Sequence, residues 1–246
     1  MKEIGRVLIG SQNYGLDGPD SDKDYKVLLC PSFYDMYNMK KVSAGDMPED
    51  SGKEHESPMD VRQFDSLVHK CNPNVLEMVF SIEWHYNSKK MREYISRAKE
   101  LLSFGWIALN WDGFYAATMG MAYNALKRYG ATPKAVSRAL YLYYLTLYIA
   151  DHNFNMGTYS WRDNWFSNDA KILRFGPAMP SDEEYKKIAE EIMNKFHNNK
   201  DELANKAREW VKDNPEKVVE LKRQAAALSE QMKNIVLSEM LGDFGL

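Results

Sequence analysis

The chain has 246 residues, 44% of them apolar, and a formal net charge of −3, so it is long enough to bury a core in one large or two small domains. Its acidic balance excludes a broad basic surface for nucleic acid, though not a local basic cleft. No apolar run approaches a membrane span, and the start, MKEIGRVLIGSQ, is too short and polar for a secretory signal.

Residues 4–12 read as a strand in which the apolar Val7-Leu8-Ile9 ends at Gly10-Ser11. Gly10-Ser11 opens a tight turn whose backbone N–H groups face an anion. Residues 24–30 read as the neighbouring strand, with Asp22 and Asp24 leading into Val27-Leu28-Leu29. Residues two apart on a strand share a side, so both carboxylates aim at one point. Such a pair repels unless a cation sits between them. Mg²⁺ suits oxygen donors and bridges to substrate phosphates. A phosphate cradle beside a divalent-metal site is a nucleotide-handling arrangement.

Ser32 to Tyr37 reads as a short helix after Pro31. Residues 43–58 lack apolar periodicity and carry many acids, which predicts a surface loop, either simply mobile or closing over the nucleotide. Met59 to Phe64 reads as the third strand, running into a helix. Asn72-Pro73 starts another helix, with Asn as cap and Pro in the first turn. Glu83 to Tyr86 reads as a short strand. Cys30 and Cys71 are far apart with no CxxC, as in reduced thiols of a cytoplasmic protein. His55, His69, His85, His152 and His197 form no ligand spacing and read as ordinary histidines.

Beyond about residue 90 the periodicity turns helical. Met91 to Leu102 is one helix, and Leu109 to Tyr129 is another, stopped by Gly130. A third begins at Thr132-Pro133 and is apolar on most sides, which predicts the central helix of its region. Residues 153–180 read as loop, with a short strand at Lys171 to Phe175. Ser181 to Glu184 is a capped helix start, and Asn198-Asn199 breaks that helix. Residues 201–212 and 215–241 give two more helices.

Gly10-Ser11 followed by Ser21-Asp22-Lys23-Asp24 resembles the DNA polymerase β-like nucleotidyltransferase superfamily. Its pattern is an apolar strand, Gly-Ser or Gly-Gly, a loop, Asp-x-Asp or Asp-x-Glu, then a third acid on a later strand. Phe64-Asp65-Ser66-Leu67 and Cys71-Asn72-Pro73-Asn74-Val75-Leu76-Glu77 are similar to a little-characterised bacterial and phage branch. The likeness covers residues 1–90 and continues more weakly to about residue 175. It implies a third acid, for which Asp50, Glu54, Glu56, Asp60 and Asp65 compete. Asp60 is preferred because Met59, Val61 and Phe64 give it strand context. The resemblance also implies a lysine from a helical domain at the triphosphate. Lys134 and Arg138 fit that role, being cations near a helix N-terminus where the dipole opposes them. The alternative for both is pairing with surface carboxylates. Arg62 lies two residues after Asp60, where it meets either phosphate or a carboxylate.

The expected protein is α+β. Residues 1–90 form an N-terminal nucleotidyltransferase mixed sheet with flanking helices, and residues 91–246 form a C-terminal helical domain as the other wall of a cleft. The expected reaction moves a nucleoside monophosphate from an NTP to an acceptor hydroxyl, releasing pyrophosphate. Asp22, Asp24 and Asp60 would hold two Mg²⁺ ions, or Mn²⁺, about 4 Å apart. Gly10, Ser11, Ser21, Lys134 and Arg138 would bind the nucleotide. The acceptor stays open among an RNA 3′ end, a protein hydroxyl, a small molecule and another nucleotide. A different class of function is a nucleotide-sensing or partner-binding module of a toxin–antitoxin type system that retains the fold.

Overall fold

Four strands, β1 (Lys2–Ile9), β2 (Asp24–Cys30), β3 (Glu56–Asp60) and β4 (Trp84–Tyr86), form one mixed sheet in the order β3-β2-β1-β4. This is a computed structural model, and it describes residues 1–18, 21–47, 55–157 and 165–242. β1 runs antiparallel to both β2 and β4, whereas β2 and β3 are parallel. A parallel neighbour cannot follow a tight hairpin, so the chain crosses back before β3. Val7, Leu28, Cys30 and Met59 lie in the main apolar cluster. Leu8, Val27 and Leu29, on the other pleat, are also buried. Burial on both faces explains why these strands read as continuous apolar runs.

β1 ends at Ile9 rather than running to residue 12. Gly10 takes φ 80° and ψ −156°, a conformation that suits glycine, and turns the chain into the short helix α1 (Ser11–Tyr14). The amides of Asn13 and Tyr14 both donate back to the Gly10 carbonyl. The helix α2 (Phe33–Tyr37) follows β2 and is closed by a capping box between Ser32 and Asp35. β3 lies earlier than the sequence suggests, because Asp60 ends the strand and caps α3 (Val61–His69). α4 (Pro73–Val79) begins at the Asn72 cap as expected.

The helical region comprises α5 (Lys89–Ser103), α6 (Trp106–Leu109), α7 (Trp111–Tyr129), α8 (Pro133–Asp151), α9 (Trp165–Phe175), α10 (Asp182–Asp213) and α11 (Pro215–Gly242). α8 is the central helix, with Val136, Leu142, Leu145 and Ile149 fully buried. Two expectations are corrected. The expected strand at Lys171 to Phe175 is part of α9, whose Ser167 and Ala170, three residues apart, are both buried. Ser167 Oγ donates to the Tyr14 carbonyl at 2.9 Å and Tyr185 donates to that of Leu173 at 2.6 Å. Asn198-Asn199 does not break α10. Phe196 and Leu203 are buried on either side, and Asn199 donates to the Tyr143 hydroxyl at 2.7 Å. Tertiary contacts outweigh the mild helix penalty of asparagine.

One apolar cluster runs from the sheet through the helices and crosses residue 90. α11 packs against both α3 and α5, and the Tyr14 and Tyr141 rings meet at 4.7 Å between α1 and α8. Among the described residues no helix is long and apolar enough to cross a membrane.

Candidate active site

The antiparallel register of β1 and β2 sets Ile9 opposite Asp24, which brings Gly10 against the Asp24 side chain. A Cβ on Gly10 would stand 2.8 Å from Asp24 Oδ2. Glycine is therefore needed twice here, for its backbone angle and for the space the carboxylate occupies. Asp22 lies just ahead of β2. Its side chain is 67% exposed and that of Asp24 is 48% exposed.

The two carboxylates flank the His55 ring. Its Nε2 stands 3.7 Å from Asp22 Oδ2 and its Nδ1 stands 3.7 Å from Asp24 Oδ1. The Tyr25 amide donates to the His55 carbonyl at 2.7 Å, which holds the start of β3 beside Asp24. His55 thus differs from the ordinary histidine its sequence context suggests. The signal is parallel pairing of β3 with β2, which no spacing in the sequence records.

Asp60 does not join this group. In the parallel register Asp60 matches Leu29, five residues beyond Asp24. At about 3.3 Å per residue the two acids lie about 16 Å apart, on opposite pleats. Asp60 Oδ1 accepts the Arg62 amide at 2.7 Å and Arg62 Nε at 3.0 Å. Its carboxylate is committed to capping α3 and to pairing with Arg62. The competing acids are placed elsewhere too. Glu56 holds Arg6 Nη1 at 2.7 Å, and Asp65 accepts from the Tyr94 hydroxyl at 2.8 Å. Asp50 and Glu54, with most of the loop expected to close over the nucleotide, lie outside the described residues.

The sequence reading missed Glu77 and Lys26. Glu77, on α4, is 3% exposed and reaches the turn after β1. The Gly10 amide donates to its Oε1, and the Tyr14 hydroxyl donates to Oε2 at 2.5 Å. Asn13 Nδ2 donates to the Glu77 carbonyl at 3.2 Å. The Gly10 N–H therefore faces a protein carboxyl group in place of the expected phosphate, and Glu77 pins the turn. Burial pushes the Glu77 carboxyl up to about 7, against the opposing pull of the Arg138 guanidinium and the Tyr14 and Gly10 donors. Lys26 follows Asp24 by two residues on the same pleat. Burial lowers its ammonium, and nearby Glu77 raises it.

Arg138 lies over the Tyr14 ring, 5.5 Å from its centroid, and its charge meets buried Glu77. It is partly buried between α8 and α1 and, among the described residues, is not paired with a surface carboxylate. Lys134, one turn earlier on α8, is exposed and forms no ion pair among the described residues. Ser21 shapes the loop that delivers Asp22. Its Oγ accepts the Gly18 amide at 2.8 Å, and its carbonyl accepts Gln12 Nε2 at 2.8 Å.

Among the described residues no group of three acidic, histidine or cysteine side chains could hold a metal ion. Asp22 and Asp24 are exposed carboxylates, the oxygen donors a divalent cation takes. A family model described as the RNA repair pathway DNA polymerase beta family matches residues 4–155, a span that holds every site residue above. No curated protein and no solved structure matches the chain.

Proposed function

The chain belongs to the RNA repair pathway DNA polymerase beta family, within the β-like nucleotidyltransferase superfamily, and from that membership we propose that it transfers a nucleoside monophosphate from an NTP to an acceptor hydroxyl. The new ester forms at the α-phosphorus as the bond to the β-phosphate breaks, and pyrophosphate leaves. Asp22 and Asp24 hold divalent metal, Mg²⁺ or Mn²⁺. When bound, the ions supply positive charge to the phosphates and the attacking oxygen. Gly10 lets Asp24 approach the turn, and Ser11 lies at the start of α1 to meet phosphate. Glu77 and Tyr14 keep that turn rigid, which is how a positioned site lowers a barrier. Lys134 meets the triphosphate from the helical side, because Arg138 is engaged with Tyr14 and Glu77. The division into a catalytic part, residues 1–90, and a helical wall, residues 91–246, belongs to this reading. The family description favours an RNA end as acceptor.

The observation that carries the proposal is the exposed Asp24 carboxylate set against the Gly10 turn, with Asp22 two residues ahead of it and both carboxylates beside the His55 ring. Purified protein is incubated with Mg²⁺ or Mn²⁺, each α-labelled NTP, and RNA bearing a 3′-hydroxyl. Label should move to RNA with wild-type protein and not with Asp22→Asn or Asp24→Asn. Absence of labelled product with any RNA or with cell extract would sink the proposal. A second reading, a nucleotide-sensing or partner-binding module, is favoured by the exposed Tyr34, Tyr37 and Met39 around α2, at 75%, 77% and 89%. It predicts nucleotide binding without turnover.

A further inference from the structure

We propose that the cavity between the first turn of α7 and the helices α10 and α11 is a second binding site, for a small organic phosphate of the nucleotide class. It shares no residue with the site around Asp22 and Asp24 and does not rest on the reading of that site.

The cavity measures about 570 Å³, a size that suits a small-molecule ligand. Lys70, Arg208 and Lys222 line it, and all three are exposed. Trp106 Nε1 donates to the His69 carbonyl at 3.0 Å, which ties the end of α3, and with it Lys70, to the α6–α7 corner. Among the described residues none of these cations forms an ion pair, and Arg208 donates only to Asn205 Oδ1, at 2.8 Å. Asp112 is the one acid among the lining residues, so 3 positive charges against 1 negative leave +2. In a chain whose net charge is −3, three unpaired cations around one cavity favour an anion.

The backbone favours the same ligand. Asn110 precedes α7 but caps none of its amides; its Nδ2 donates to the Trp106 carbonyl at 3.1 Å instead. The uncapped first turn of a 19-residue helix, Trp111 to Gly113, borders the cavity with its positive end. Glycine weakens a helix, and a Cβ on Gly113 would meet nothing within 4 Å, so packing does not call for glycine there. Its bare backbone admits a phosphate closely. Trp111 is 3% exposed, and its buried Nε1 donor has no partner among the described residues. Leu109, Val211 and Val218 add an apolar wall. Inorganic phosphate makes no use of that wall, whereas a nucleotide sets its base on it and its phosphate among the cations.

The test is calorimetric titration of the full chain with AMP and, separately, with inorganic phosphate, both in EDTA. Wild-type protein and Asp24→Asn should bind AMP alike, and both should bind inorganic phosphate more weakly. Arg208→Ala and Lys222→Ala should each weaken AMP at least about tenfold, the loss expected when one charged partner of a phosphate is removed. Gly113→Glu should abolish binding while the melting temperature stays level or rises, because the new side chain enters open space and an acid suits a helix first turn. Binding that survives Gly113→Glu but is lost in Asp24→Asn would place the nucleotide at the other site and overturn the proposal. Equal affinity for AMP and inorganic phosphate would overturn the nucleotide class. Absence of saturable AMP binding to wild type, or binding of an RNA oligonucleotide in its place, would overturn the small-molecule site.

Discussion

The two ends of the β2–β3 pair carry aspartates of opposite character. At one end Asp24 is half-exposed, lies against a glycine and, among the described residues, meets only an imidazole at 3.7 Å. At the other, Asp60 is buried and its oxygens accept a helix amide and a guanidinium. Both residues are aspartate, yet the carboxylate of one is exposed and that of the other is held by a helix amide and a guanidinium. The difference lies in what already occupies the carboxylate oxygens.

Substitution at the two ends separates these roles most strongly. Asp24→Asn and Asp22→Asn should reduce transfer on the order of a thousandfold, since charge at the phosphates supplies much of the rate. Their melting temperature should stay level or rise, because removing one carboxylate relieves repulsion with the other. Transfer assays and thermal melts on the same preparations check both halves. Near-wild-type rates in either variant would erase the contrast between the ends.

Gly10→Ala probes how closely the open end is built. The new Cβ meets Asp24 Oδ2 at 2.8 Å and the backbone sits at φ 80°, so about 1–3 kcal/mol of strain is expected. Denaturant unfolding measures it. Transfer should fall as well, because Asp24 must move. A variant as stable and active as wild type would mean that the carboxylate is not held where it stands.

Glu77 links the open end to the helices, and its pH dependence is specific. Burial raises its carboxyl to about 7, so the folded state keeps a proton that the unfolded chain gives up at lower pH. The contribution to stability therefore declines as pH rises from the ordinary carboxyl range to about 7 and is level above. Glu77→Gln should flatten that part of the stability profile. Equal slopes for the two proteins over that window would show that Glu77 does not titrate there.

The smallest effect belongs to the closed end. Asp60→Ala should cost about 1 kcal/mol through loss of the α3 cap, with transfer nearly unchanged. A collapse of activity without a matching loss of stability would return Asp60 to the catalytic group.

Some of this was legible without coordinates because its causes are local. Gly10-Ser11 as a turn, β2 beginning at Asp24, and the starts of α4 and α8 depend on residues within a few positions of each other. Backbone angles, strand alternation and capping act over that range. The periodicity of α8 likewise marked it as central. The identity of the residue beside Asp24 was not legible. Met59, Asp60 and Val61 look like a strand from either direction, and only the parallel pairing decides which end of β3 meets the site. That choice sets His55, not Asp60, beside Asp24.

Long-range contacts decided the rest. Glu77 reaches Gly10 across 67 positions, and no pattern in α4 announces that its carboxylate is buried under a glycine amide. Arg138 and Lys134 share a helix and a spacing, but Tyr14 and Glu77 engage only Arg138. The segment of α9 has ambiguous periodicity, and burial of Ser167 and Ala170 makes it helical. The sequence by itself determined the motif, the nearby turns and the α+β class, because local conformational preference and apolar periodicity are written in neighbouring residues. Tertiary structure alone decided strand direction, which carboxylates were already occupied and which cation stayed exposed, because those depend on surfaces that meet only when distant segments pack.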